Sequence, residues 1–138
     1  MKRAVFSLLL ALCLLLLASC GEAVPHYTEV NNTLLGDATV SKVEVSSMPH
    51  GYSYSFRGDD AEAVVDYIRS LTLESDFTEN PDVYVGMTWV VEIEYDGAEK
   101  ATVYMFGNIF IRRDSSEWLK MEYSEAEGFA ILLEKLDK

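Results

Sequence analysis

Apolar and polar side chains alternate most sharply in Thr88-Trp89-Val90-Val91-Glu92-Ile93-Glu94-Tyr95. There Trp89, Val91, Ile93 and Tyr95 point one way, and Glu92 and Glu94 point the other. A period of two predicts a strand with one buried face. Asp96-Gly97 predicts a hairpin, because both central positions of a type I′ turn need positive φ. Lys100–Phe106 is the return strand, and Ile109–Arg112 follows as a third. Gly107-Asn108 between them reads either as a turn or as a bulge in one longer strand. Upstream, Thr39–Val45 is rich in β-branched residues and sets Thr39, Ser41, Val43 and Val45 on one face. After a turn at Pro49-His50-Gly51, Tyr52, Tyr54 and Phe56 alternate with Ser53, Ser55 and Arg57. The two segments predict a β-hairpin. Trp118, Met121 and Tyr123 predict a short final strand or an extended approach to the last helix.

Two stretches follow the helical period instead. Ala61, Val64, Val65, Ile68 and Leu71 form one stripe. It is introduced by Asp59 and Glu62 in the spacing of a capping box and expected to stop near Leu73. Phe129, Leu132, Leu133 and Leu136 form the second stripe. Ser124 and Glu127 make another capping box, and Lys135 and Lys138 sit where a helix dipole favours positive charge. The order β-β-α-β-β-β-(β)-α predicts an α+β fold: an antiparallel sheet of four to six strands with two helices packed on one face. Its other face would carry Glu92, Glu94, Thr102 and Tyr104. A single domain is expected over residues 38–138.

The first residues are not part of that pattern. Lys2 and Arg3 precede an apolar run from Ala4 to Ala18 in which Ser7 is the only polar residue. The run falls short of the roughly 20 residues that a membrane-spanning helix needs, and its order of charge, apolar core and small residues is that of an export signal. Leu17-Ala18-Ser19-Cys20 resembles the lipobox of bacterial lipoproteins. That resemblance implies cleavage before Cys20, a diacylglycerol on its thiol, and an anchor on the extracytoplasmic face of the cell membrane. Residues 1–19 are then the signal peptide and residues 20–37 a tether, with a short first strand near Tyr27–Val30 as an alternative within it.

Charge and cysteine content narrow the function. The chain carries 23 acidic against 11 basic residues, for a formal net charge of −12, and loss of Lys2 and Arg3 makes the remainder more acidic. Without a basic cluster, nucleic-acid binding is not expected, and the acyl chains must hold the bilayer unaided. Cys13 falls in the signal and Cys20 carries the lipid, so no disulfide framework is expected. His26 and His50 are the only histidines, which offers no metal-ligand spacing. Glu74, Asp76, Glu79 and Asp82 make a dense acidic loop but lack the spacing and glycine of a calcium loop. No Gly-x-Ser-x-Gly elbow, phosphate loop or cofactor motif is present, and no catalytic residue is assigned.

Aromatic side chains are the remaining candidates for recognition, since Tyr and Trp combine apolar area with a polar tip. Most of them are expected in the core, with Tyr104 and Trp118 the pair expected at the surface for a partner. The lipobox, the first hairpin, the Ile68-Arg69-Ser70-Leu71 stretch, the Asp96-Gly97 turn and the closing Phe129–Leu136 helix together resemble small lipoproteins of uncharacterised function from Gram-positive gut bacteria such as clostridia. That resemblance implies no catalytic residue. The expected function is a surface-tethered module binding a protein, peptide or envelope component. The alternatives are an inhibitor or immunity-type protein masking an exported enzyme, and a hydrolase.

Overall fold

In the computed structural model, which describes residues 28–49 and 51–138, the alternating segments form one antiparallel sheet. Strand β5 (Thr88–Tyr95) lies near the sheet's middle, between β2 (Val40–Met48) and β6 (Lys100–Phe106). The remaining strands are β1 (Thr28–Val30), β3 (Ser53–Arg57), β4 (Leu73–Ser75), β7 (Phe110–Arg113) and β8 (Leu119–Met121). Helix α1 spans Asp59–Ser70 and α2 spans Tyr123–Leu136. The spatial order is β1-β4-β8-β7-β6-β5-β2-β3. The fold is therefore α+β with two helices, but its sheet has eight strands rather than four to six. The additional ones are β1 and β4, each three residues long and paired to the other through Thr28–Ser75, Glu29–Glu74 and Val30–Leu73.

Val43 pairs with Ile93, Val45 with Val91, and Val91 with Val103, so one face of the sheet is continuously apolar. Ala61, Val64, Val65 and Ile68 of α1 join these residues and Ala126, Phe129 and Leu133 of α2 in a single core cluster. The alternation in β2 departs from its expected phase. A bulge between Val40 and Lys42 lets both Val40 and Val43 turn inward, while the Ser41 hydroxyl bonds the Glu94 carbonyl at 2.9 Å. An extra residue in one strand shifts every side chain before it to the opposite face.

Neither helix starts with its expected capping box. The N-cap of α1 is Gly58, with no side-chain cap. Glu62 is instead drawn out of the helix, accepting from the Val40 amide at 3.1 Å and from Arg69 at 2.7 Å. At α2 the cap is Glu122, whose carboxylate accepts from the Glu125 amide at 2.9 Å and from the Ser124 hydroxyl. The Asp96-Gly97 turn also shifts. Positive φ falls on Gly97 and Ala98, and the Tyr95 amide bonds the Glu99 carbonyl, closing a three-residue loop. Gly107 and Asn108 both take positive φ, and the Ile109 amide bonds the Phe106 carbonyl, which makes that site a turn.

The segment after β1 is fastened to α1. The Asn32 amide donates to the carbonyls of Ile68 and Leu71, at 2.7 and 3.0 Å, satisfying groups that a helix C-terminus leaves open. Arg69 donates to the carbonyls of Gly36 and Ala38 and is also paired with Glu62 and Asp66. Leu35 is buried between these two fastenings.

The two helices meet at Gly128. The Tyr67 hydroxyl donates to the Glu125 carbonyl, and a Cβ on Gly128 would lie 2.1 Å from that hydroxyl oxygen. Alanine there adds about 1 kcal/mol of helix propensity, which the collision outweighs. Gly128→Ala should lower stability by about 1–3 kcal/mol in urea denaturation. The same change in a Tyr67→Phe background should cost less.

Candidate functional site

Rows of side chains across the sheet build the face opposite the helices. One row joins Ser46, Val90, Tyr104 and Arg112, and the next joins Met48, Thr88, Phe106, Phe110 and Lys120. The Lys42 and Glu44 end of the face is polar, and there Lys42 pairs with Glu44 at 2.7 Å. The Phe110 end is covered. Phe110 has no solvent exposure, yet it stands outside the main core. Phe77 and Tyr84 from the connection between β4 and β5 pack on its ring at 5.4 and 5.3 Å, and Trp118 packs at 6.4 Å. A second, smaller apolar cluster thus lies on the face that reads from the sequence as polar, suited to solvent or to a partner. Its cover is the segment that reads as a polar, acidic loop.

That acidic segment does not converge on an ion. Glu74 lies on β4, and Glu79 is engaged by Lys120 at 2.6 Å; among the described residues no group of three His, Cys, Asp or Glu could hold a metal. His26 and Cys20 lie outside the described residues, as does His50. Asn80 caps a short 3-10 helix, Pro81–Val83, by accepting from the Asp82 amide. No helix among the described residues is long and apolar enough to cross a membrane.

The hydrogen bond from Lys120 holds the Glu79 carboxyl below the ordinary carboxylate range. A depressed folded-state value stabilises the fold above the unfolded pKa of about 4.3 and loses that contribution as the pH falls through the folded value. Amide exchange over residues 76–87 should therefore stay slow at mildly acidic pH and quicken only on stronger acidification. In Glu79→Gln the acid-dependent step should disappear from this segment.

Tyr104 and Trp118 come together through a residue that the sequence reading does not nominate. The Arg112 guanidinium carbon lies 4.5 Å from the Trp118 ring centre and 5.2 Å from that of Tyr104. Both rings are half-buried rather than open, because a cation already occupies a face of each. The Arg112 Nε is buried without a hydrogen-bond partner. A groove of about 300 Å³ opens beside this stack, lined by Asp82, Tyr84, Thr88, Phe106, Arg112 and Trp118 among others.

The local sequence explains the placement. In Phe110-Ile111-Arg112-Arg113 the period of two sends Phe110 and Arg112 to the open face and Ile111 and Arg113 to the other. Arg113 then meets Asp114 at 3.3 Å and the Leu34 carbonyl at 3.4 Å, whereas Arg112 meets only rings. Adjacent arginines look equivalent in composition, and the strand's alternation is the signal that separates them. The chain matches no protein-family model, no curated protein and no solved structure.

Proposed function

We propose that the chain is a membrane-tethered, extracytoplasmic binding module that takes its ligand in the groove beside Arg112. The observation that carries this reading is the Tyr104–Arg112–Trp118 stack, a rigid amphipathic surface next to a cavity. Aromatic and arginine side chains are the residues most enriched where binding energy concentrates. The apolar cluster around Phe110 fixes the stack from below, so the surface is formed before a ligand arrives. The charged leader, apolar run and Leu17-Ala18-Ser19-Cys20 support the tether. Its anchor is a diacyl modification of Cys20, and the clostridial lipoproteins it resembles share that arrangement.

A photo-crosslinking residue at Tyr84, on the groove's rim, tests the binding reading against one at Ile131, exposed on α2. In intact cells a product should form from position 84 and vanish when Tyr104 and Trp118 are both changed to alanine. Equal labelling from both positions, or none from position 84, overturns the reading. Cys20→Ala should abolish incorporation of a fatty-acid label; persistence of the label overturns the anchor.

A further inference from the structure

Every other half-buried cation among the described residues holds a carboxylate. Lys42 has Glu44 at 2.7 Å, Arg69 has Glu62 at 2.7 Å, Arg113 has Asp114 at 3.3 Å, and Lys120 has Glu79 at 2.6 Å. Arg112 is buried to the same class and lies in a chain with twice as many acids as bases. Its guanidinium forms no ion pair and no hydrogen bond with any described residue. Rings above its plane stabilise the charge but accept nothing from its N–H donors, which point outward in the guanidinium plane. Its Nε donor is buried without a partner, and leaving a buried donor unmet is costly.

We propose that the groove binds the carboxylate of a short peptide, with Arg112 as its anion-binding residue. The inference rests on the binding reading above and adds the class of ligand. A guanidinium fork matches a carboxylate in two parallel hydrogen bonds. Stacking on Tyr104 and Trp118 holds the fork in place, so little side-chain freedom is lost on binding. The groove supplies what the rest of a peptide needs. Phe106 and Trp118 offer apolar surface for a side chain, Thr88 and Tyr84 offer hydroxyls, and Asp82 offers an acceptor for N–H donors. A volume of about 300 Å³ lies at the small end of ligand sites, suited to a few residues rather than a folded partner. Since Arg112 is the only cation among the described residues that line the groove, recognition depends on that one guanidinium.

Calorimetric titration of the full chain in mild detergent tests this with three probes: Ala-Ala-Phe with a free carboxylate, its C-terminal amide, and N-acetyl-Ala-Glu-Phe-amide. The free acid should bind at least about tenfold more tightly than the plain amide. Binding of the glutamyl probe as tightly as the free acid assigns the carboxylate to a side chain, and its failure assigns it to a peptide terminus; either supports the proposal. Arg112→Gln should erase the preference for acid over amide, and Arg112→Lys should retain part of it, because charge remains while the fork is lost. Near-UV circular dichroism checks that both variants keep their aromatic packing.

Equal binding of acid and amide, an unchanged preference in Arg112→Gln, or no binding of any probe at millimolar concentration overturns the proposal. Crosslinking from position 84 that still depends on Tyr104 and Trp118 would then leave the binding module standing without its carboxylate. Loss of that crosslink removes both.

Discussion

Truncating Phe129 to alanine is expected to lower the free energy of unfolding by about 3–5 kcal/mol, the range for removing a buried phenylalanine. Phe129 has no exposure and lies where three elements meet. Its ring is 6.0 Å from Tyr67 of α1 and 6.1 Å, edge-on, from Trp89 of β5. Collapse around the deleted ring would have to move a helix against a sheet, and packed interiors relax only in part. Loss of this size is a large share of the stability of a domain this small. Urea denaturation should show the midpoint falling sharply, and near-UV circular dichroism at low urea should show a weakened Trp89 signal. Phe129→Leu, which restores most of the volume, should recover much of the loss.

Phe110→Ala is the matching test on the opposite face, with an expected cost of about 3 kcal/mol. Its local signature should differ. Phe110 is held by Phe77, Tyr84 and Trp118, two of which belong to the long connection between β4 and β5. Without the ring, that connection loses its apolar attachment and keeps the Glu79–Lys120 bond. Hydrogen exchange should quicken over residues 76–87 far more than in α1 or β5. Val85→Ala, in the same segment but fully exposed, should leave stability within about 0.5 kcal/mol of the parent. If Phe110→Ala cost as little as Val85→Ala, the second cluster would be packing without consequence.

What the residue pattern makes legible depends on how many residues an element has in which to repeat. Eight residues of β5 repeat Trp89, Val91, Ile93 and Tyr95 on one side, and all four are buried. Helix α1 shows the same clarity in Ala61, Val64, Val65 and Ile68. Strands β1 and β4 have three residues each, too few for any period to register, and they form because they pair with each other across more than forty intervening positions. Long-range pairing also explains the missed caps. Glu62 suits a local cap by spacing but reaches Val40 and Arg69, while at α2 the cap falls on Glu122 rather than Ser124 and Glu125 reaches the Thr72 amide at 2.6 Å.

The site was half legible for a related reason. Tyr104 falls on the open face by simple alternation, and Trp118 is expected at the surface. Their meeting depends on β7 standing between β6 and β8 and delivering Arg112 to both rings. Phe110 was concealed similarly, since nothing near it announces that residues 77 and 84 fold back over it. Acidic composition in that connection suggested solvent, while its aromatic residues decided the outcome.

The fastening of residues 32–38 to α1 bears on how the molecule carries mechanical load. Among the described residues, a pull from the N-terminal side meets β1 first, an edge strand with three residue pairs to a single neighbour. Strands at an edge peel open one hydrogen bond after another under such a pull. The next resistance comes from Asn32 on the carbonyls of Ile68 and Leu71 and from Arg69 on those of Gly36 and Ala38, which share the strain at once. Yielding at β1 releases three residues, roughly 10 Å of extended chain, and then stops. β4 and β8 still separate that break from β7 in the sheet, so the yielding is confined to its edge.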